Sequence, residues 1–335
     1  MLKRLLAAAL LFGSACLAGP AAAVEREVTF QGADGVPLAG TLNVPDGAGR
    51  HPALLLIQGS GPTDRNGNNP LVPVRIDLLK QLADMLAAEG IATLRYDKRG
   101  MFANKATMPT DPAALPNFTR WDAFVEDAAG AFRFLAEQQA VDPARIGIAG
   151  HSEGGLVALD LTARGTVRPK VLILLSTPGR PLAAVIEEQL ERTLEAQNAP
   201  PDVAADMLGA SRRISDEIIR TGRVPDDVPA GLKALYPDYA GPFLQSLLRF
   251  DPAQAAAGLD MPVLVLTGKA DAQVSVERDA AALARPVAKL PGSQVTVPEG
   301  VSHNLKSVEE NGPGFEGAVA PEVLEKLKEW LAEHL

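Results

Sequence analysis

Cysteine is all but missing from this chain: among 335 residues only Cys16 carries a thiol. Beyond that position neither a disulfide nor a thiol nucleophile is available, so an oxidising compartment is tolerated without being exploited. Histidine is scarce too. The four present form no H-E-x-x-H motif and no pair at ligand spacing, so no metal is expected. Aromatic residues make up only 4%, which argues against a large aromatic-lined pocket. Positive charge is in deficit, 32 Lys and Arg against 41 Asp and Glu. That balance disfavours nucleic acid or an anionic membrane as partner and suits a small or neutral substrate. There is no internal repeat or low-complexity block, and past the N-terminus no apolar run is long enough to span a bilayer.

The N-terminus is different. Lys3 and Arg4 precede an apolar run from Leu5 to Leu17, and Ala21-Ala22-Ala23 closes it. This is the pattern of a signal peptide, residues 1–23, cleaved after Ala23, which predicts export to the periplasm or beyond. Losing two cations and no acid would take the formal charge from −9 to −11. A membrane anchor or core helix is the alternative, but the run falls short of the ~20 residues a span needs. Lipid attachment at Cys16 is a further alternative; Gly13 stands where a lipoprotein signal usually has an aliphatic residue.

After this segment, Glu27–Gln31 and Leu38–Val44 flank Gly32, Asp34 and Gly35 and read as an antiparallel hairpin. Short apolar runs then alternate with amphipathic ones. Strands are predicted at Ala53–Gln58, Ile91–Arg95, Arg145–Ala149, Val171–Leu175, Pro262–Thr267 and Gln294–Val297, with helices near 75–89, 120–139, 153–164, 275–285 and 320–334. Such alternation predicts an open, mostly parallel α/β sheet with helices on both faces. Between Pro181 and Ala257 the rhythm becomes helical, with Leu182, Val185, Ile186, Leu190 and Leu194 and then Val203, Met207, Ile214 and Ile218 at helix spacing. The chain thus divides into core parts 24–180 and 258–335 around a helical insertion, 181–257. Lying between two strands at the carboxyl edge, the insertion is either a lid over the site or a packing appendage.

One G-x-S-x-G occurs, Gly150-His151-Ser152-Glu153-Gly154, between a predicted strand and a predicted helix. That context presents a serine on a tight turn at the sheet edge, and Ser152 is the candidate nucleophile. A serine hydroxyl needs a base, normally imidazole. His51 enters a strand at the opposite edge, His334 neighbours the C-terminus, and His151 should point away from Ser152. His303, in a loop after the last strand, remains. A carboxylate at the same edge must orient it, and Asp271, following the strand Pro262–Thr267, suits that role. Glu277 and Asp279 are rivals inside the next helical run.

The N–H of Glu153, at the start of the helix, is the first candidate oxyanion donor. The second is the N–H of Ser60 in Gly59-Ser60-Gly61-Pro62, with Gly59 as fallback. Thr63–Asn69 either lines the entrance or forms an ordinary exposed turn. In Tyr96-Asp97-Lys98-Arg99-Gly100 the charges either orient substrate or hold the loop through an Asp97–Arg99 network.

With Gly-Ser-Gly-Pro-Thr-Asp-Arg-Asn-Gly at 59–67, Tyr-Asp-Lys-Arg-Gly at 96–100, Gly-His-Ser-Glu-Gly-Gly at 150–155, Asp271 and Ser-His-Asn at 302–304, the chain resembles the α/β-hydrolase superfamily. The likeness is to its serine aminopeptidase S33-like and acyl esterase branch, over most of residues 27–335. It implies an α/β-hydrolase fold with a helical cap and serine acyl transfer without a cofactor, on an ester, short-chain acyl esters first, or on a short peptide. A peptidase would need groups to hold the substrate ammonium, and Glu187, Glu188 and Glu191 are candidates, although on an amphipathic helix such residues are more often a solvated face. A binding protein that kept the fold and lost hydrolysis would show a damaged triad. Gln58 departs from the pattern: many relatives have there the His of a His-Gly oxyanion motif.

Overall fold

The computed structural model describes residues 23–308 and 313–335. The predicted signal segment lies outside them except for Ala23. Eight strands form one sheet: β1 (Ala23–Gln31), β2 (Pro37–Pro45), β3 (His51–Ile57), β4 (Ala92–Tyr96), β5 (Val141–His151), β6 (Leu172–Leu175), β7 (Val263–Leu266) and β8 (Gln294–Thr296). Their order is β1-β2-β4-β3-β5-β6-β7-β8. The hairpin β1–β2 is antiparallel and joins β4 antiparallel, while β4-β3-β5-β6-β7-β8 run parallel. The helices are α1 (Leu78–Ala88), α2 (Leu115–Phe118), α3 (Trp121–Ala136), α4 (Glu153–Ala163), α5 (Leu182–Ala196), α6 (Pro201–Thr221), α7 (Gly241–Arg249), α8 (Pro252–Ala257), α9 (Ala281–Val287) and α10 (Pro321–His334).

The central strands are apolar without alternation because both faces are covered. Leu54 and Leu56 of β3 pack with Leu79 and Leu82 of α1 and Trp330 of α10. Leu55 and Ile57 face the other way, with Val125 and Phe132 of α3 and Leu159 of α4. Parallel strands with crossover helices place every connection that follows a strand at one carboxyl edge, where such folds bind ligands.

The insertion has its own apolar centre, with Ile186, Leu190 and Leu194 of α5, Ile214 and Ile218 of α6, and Leu244 and Leu248 of α7. Tyr236 Oη meets the hydroxyls of Ser211 and Ser215 at 2.8 and 2.9 Å, so the one buried phenol there is hydrogen-bonded. α6 starts with Pro201 and stops at Gly222, whose φ of 71° gives the left-handed exit most side chains avoid. α8 is different: Ala256 joins the cluster beneath the sheet, so the insertion returns to the core before residue 257. The cap is fastened at both sides of its root. Arg180 bonds Asp279 at 2.8 Å and Glu188 at 2.5 Å. Arg192 and Gln189 of α5 donate to the carbonyls of Ala272 and Gln273, just after Asp271, at 2.9 and 3.0 Å. Among the described residues no helix is long and apolar enough to cross a membrane.

Candidate active site

β5 ends at His151 and α4 starts at Glu153, so Ser152 alone makes the turn. It does so at φ 54°, ψ −122°, a backbone that L-residues avoid and that surrounding contacts must hold. Its N–H donates to the Leu175 carbonyl at 2.8 Å, and its carbonyl accepts from Gly155 N–H at 2.9 Å. The turn is wedged tightly. A Cβ on Gly150 would strike the backbone of Gly154, and one on Gly154 would strike the carbonyl oxygens of Ile57 and Gln58.

His303, in the loop after β8, and Asp271, in the loop after β7, are both buried. His303 Nδ1 lies 2.9 and 3.1 Å from the two Asp271 carboxylate oxygens. Asp271 Oδ1 also accepts from the N–H groups of Gln273 and Val274 at 2.8 and 2.9 Å. Burial alone would raise this carboxyl's pKa; the pairing with His303 and the two N–H donors outweigh it and hold it below the usual carboxylate range. An ionised carboxylate on Nδ1 keeps the proton there and leaves Nε2 as the basic nitrogen. Among the described residues the His303 ring bonds Asp271 and not Ser152 Oγ; in free enzymes such bonds commonly shorten only when substrate binds.

His151 turns away from Ser152 and toward the base loop. Its ring centroid is 4.9 Å from that of His303, and its Nε2 is 2.9 Å from the His303 carbonyl oxygen. Burial, then the neighbouring His303, pushes its pKa down to about 3. It is therefore neutral, and Nε2–H donates to that carbonyl. His51 sits at the start of β3 with Nδ1 near the Gly90 carbonyl, at the opposite edge.

On the other flank, Glu153 is the first residue of α4, where a helix leaves its N–H groups without intrahelical partners. The loop after β3 runs beside the serine: a Cβ on Gly59 would lie 3.4 Å from Ser152 Cβ. Lys98 spans these pieces. Its Nζ donates to the Gly59 carbonyl at 2.7 Å, the Gly61 carbonyl at 3.2 Å and Glu153 Oε1 at 3.0 Å. The Asp97–Arg99 network is not what forms: Asp97 pairs with Arg65 at 2.8 Å and Arg99 with Asp127 at 2.6 Å.

A family model described as serine aminopeptidase, S33, matches residues 75–225. Esterase EstD of Thermotoga maritima is 28% identical over 313 residues, covering 92% of this chain and 68% of that one. The chain is thus similar in sequence to S33-like hydrolases and to an esterase. Among solved structures, Est1E from Butyrivibrio proteoclasticus superposes with a TM-score of 0.57 at 18% identity, over 92% of this chain and 98% of its own. A puromycin-hydrolyzing peptidase of Mycobacterium tuberculosis does so at 0.56 and 18%, over 93% of this chain and 39% of that one. These two likenesses show the fold.

In this α/β-hydrolase fold, Ser152 opens onto a cavity of about 490 Å³ between the core and the inserted helices. Leu156 and Phe124 line it from the core, and Leu182, Ile186, Phe243 and Leu244 from the cap. Ser60, Gly61 and Pro62 also line it, whereas Thr63–Asn69 does not reach it. That stretch is folded on itself, Asp64 Oδ1 accepting from the N–H groups of Asn66 and Asn68 at 2.8 Å. The cap carboxylates are not at the cavity wall. Glu188 is buried among Arg180, Arg192 and Arg278, not solvated as its helix pattern suggested, and Glu187 pairs with Arg212. Asp279 holds Arg180 and the N–H of Gly179, and Glu277 pairs with Lys269, so neither rival meets His303. Lys98 is the residue that sequence reasoning left unassigned; no local pattern marks it, since its partners lie 37, 39 and 55 positions away. Gln58 is buried, with neither side-chain amide atom bonded among the described residues.

Proposed function

We propose that this serine hydrolase cleaves carboxylic esters of short to medium, apolar acyl groups through an acyl-enzyme on Ser152. His303 Nε2 takes the serine proton, Asp271 stabilises the imidazolium, and the N–H groups of Glu153 and Ser60 receive the developing oxyanion. Imidazolium then protonates the leaving alkoxide, and water repeats the sequence to free the acid. The observation that carries the reading is the buried Asp271–His303 pair, with Nδ1 within reach of both carboxylate oxygens, its imidazole 4.9 Å from the ring of His151, which precedes a serine held at φ 54°. Leu, Ile and Phe side chains around a cavity of about 490 Å³ support an apolar acyl group. Export under the N-terminal segment belongs to the same reading.

The S33 description and the peptidase likeness favour amide cleavage as a second reading. Against it, the one carboxylate on the cavity wall among the described residues is Glu153, and Lys98 holds it. Nitrophenol release from acetate, butyrate, octanoate and palmitate esters, beside an amino-acid arylamide, separates the two. Ester turnover that Ser152→Ala lowers by about 10⁴ or more is expected. Arylamide turnover alone would establish the peptidase, and equal rates in both proteins would remove Ser152 from the chemistry.

A further inference from the structure

Lysine in a run such as Tyr96-Asp97-Lys98-Arg99-Gly100 ordinarily reaches into water, yet the Lys98 side chain is only 8% exposed. An ammonium has three N–H donors and no acceptor, and burying it is costly unless each donor is met. Here all three are met: by the carbonyls of Gly59 and Gly61 and by the Glu153 carboxylate. Lys98 lines the same cavity as Ser152, but it has no donor left for a substrate.

What it bonds is informative. The Gly59 carbonyl and the Ser60 N–H belong to one planar trans peptide and point in opposite directions, so anchoring the oxygen fixes the direction of the hydrogen. Gly61 anchors the far side of the same residue. Glu153 supplies the other nominated donor from its own backbone, and its side chain is tied to the same nitrogen. The two N–H groups come from loops that nothing covalent joins nearby, one after β3 and one after β5. Donors to an oxyanion act through fixed position, because they must not reorganise as charge develops.

We propose that Lys98 is the positioning residue of the oxyanion hole, a cation that locks the Ser60 and Glu153 N–H groups to each other without touching substrate. The inference rests on the ester-hydrolase reading above. It predicts a defect confined to the transition state, which a lysine serving only stability would not produce.

The test compares wild type, Ser152→Ala and Lys98→Met with nitrophenyl butyrate and two ketones of one skeleton. The trifluoromethyl ketone forms a tetrahedral oxyanion on a serine; the methyl ketone only occupies the site. Lys98→Met should lower kcat by about 10²-fold, the scale of losing one oxyanion donor. KM should stay within about threefold, with trifluoromethyl ketone affinity falling in step with kcat and methyl ketone affinity unmoved. If Lys98→Met does not fold, Glu153→Gln carries the test, with a loss of about three- to tenfold in kcat mirrored in the ratio of the two ketone affinities. An unchanged ratio, or a loss lying wholly in KM, overturns the role of Lys98 while leaving the ester reading intact. Wild type with no turnover above Ser152→Ala overturns both.

Discussion

The two flanks of Ser152 are built in different ways. On the flank proposed to hold the base, Asp271 is buried and accepts from two backbone N–H groups as well as from His303, whose carbonyl is in turn held by His151. Each support there is short-range or is fixed by neighbouring loops. On the flank proposed to receive the oxyanion, Ser60 is exposed, the loop is rich in glycine, and a single ammonium connects the parts. The first flank is held by several bonds, whereas the second depends on one residue. Removing a group proposed to move the proton should be nearly all-or-none, and loosening donors that act through position should be graded.

The largest effect should come from His303→Ala, which removes the proposed base and should lower kcat by about 10⁴ to 10⁶ in ester assays. Asp271→Asn should follow at about 10⁴, because the amide can turn its NH₂ to Nδ1 and stabilise the wrong tautomer. Activity with Asp271→Asn within tenfold of wild type would show that the base flank is less demanding than its geometry suggests. Gly154→Ala sharpens the comparison through folding, since its Cβ would strike the backbone at the end of β3. Urea unfolding should report a loss of about 1–3 kcal/mol, the usual cost of overpacking.

The smallest effect is a pH dependence of stability. His151 has a folded pKa of about 3, far below the unfolded value near 6.5. Its contribution is therefore complete above pH ~6.5 and is lost as pH falls toward ~3, because the unfolded chain binds the proton first. Asp271, also lowered, adds stability in the same direction at more acid pH. Tm measured from pH 7.5 down to 4.5 should fall, and His151→Gln should flatten that slope, whatever its effect on Tm at pH 7.5.

Much of the fold was legible because strands buried on both faces need unbroken apolar runs. All six parallel strands lie within a few residues of Ala53–Gln58, Ile91–Arg95 and their fellows. β1 begins at Ala23, four residues before the read Glu27, since Glu25, Arg26 and Glu27 on an edge strand show no apolar pattern. The turns around α2 escaped notice, as Pro109, Pro112 and Pro116 interrupt any period there. Around the candidate site, the position of Ser152 on a strand-to-helix turn was legible from its context, as were those of His303 and Asp271 in loops that follow strands. Lys98 was not, nor were the separate partners of Asp97 and Arg99. Charge alone cannot tell a solvated loop from a buried clamp when every partner is distant in sequence.

The central claim is that Ser152 is the nucleophile, and covalent capture tests it most directly. After exposure to a fluorophosphonate, intact mass and peptide mapping should show one adduct, on the peptide carrying Ser152. It should be absent from Ser152→Ala and form far more slowly in His303→Ala. Ester turnover that persists with no adduct, or with the adduct on another residue, would contradict the account.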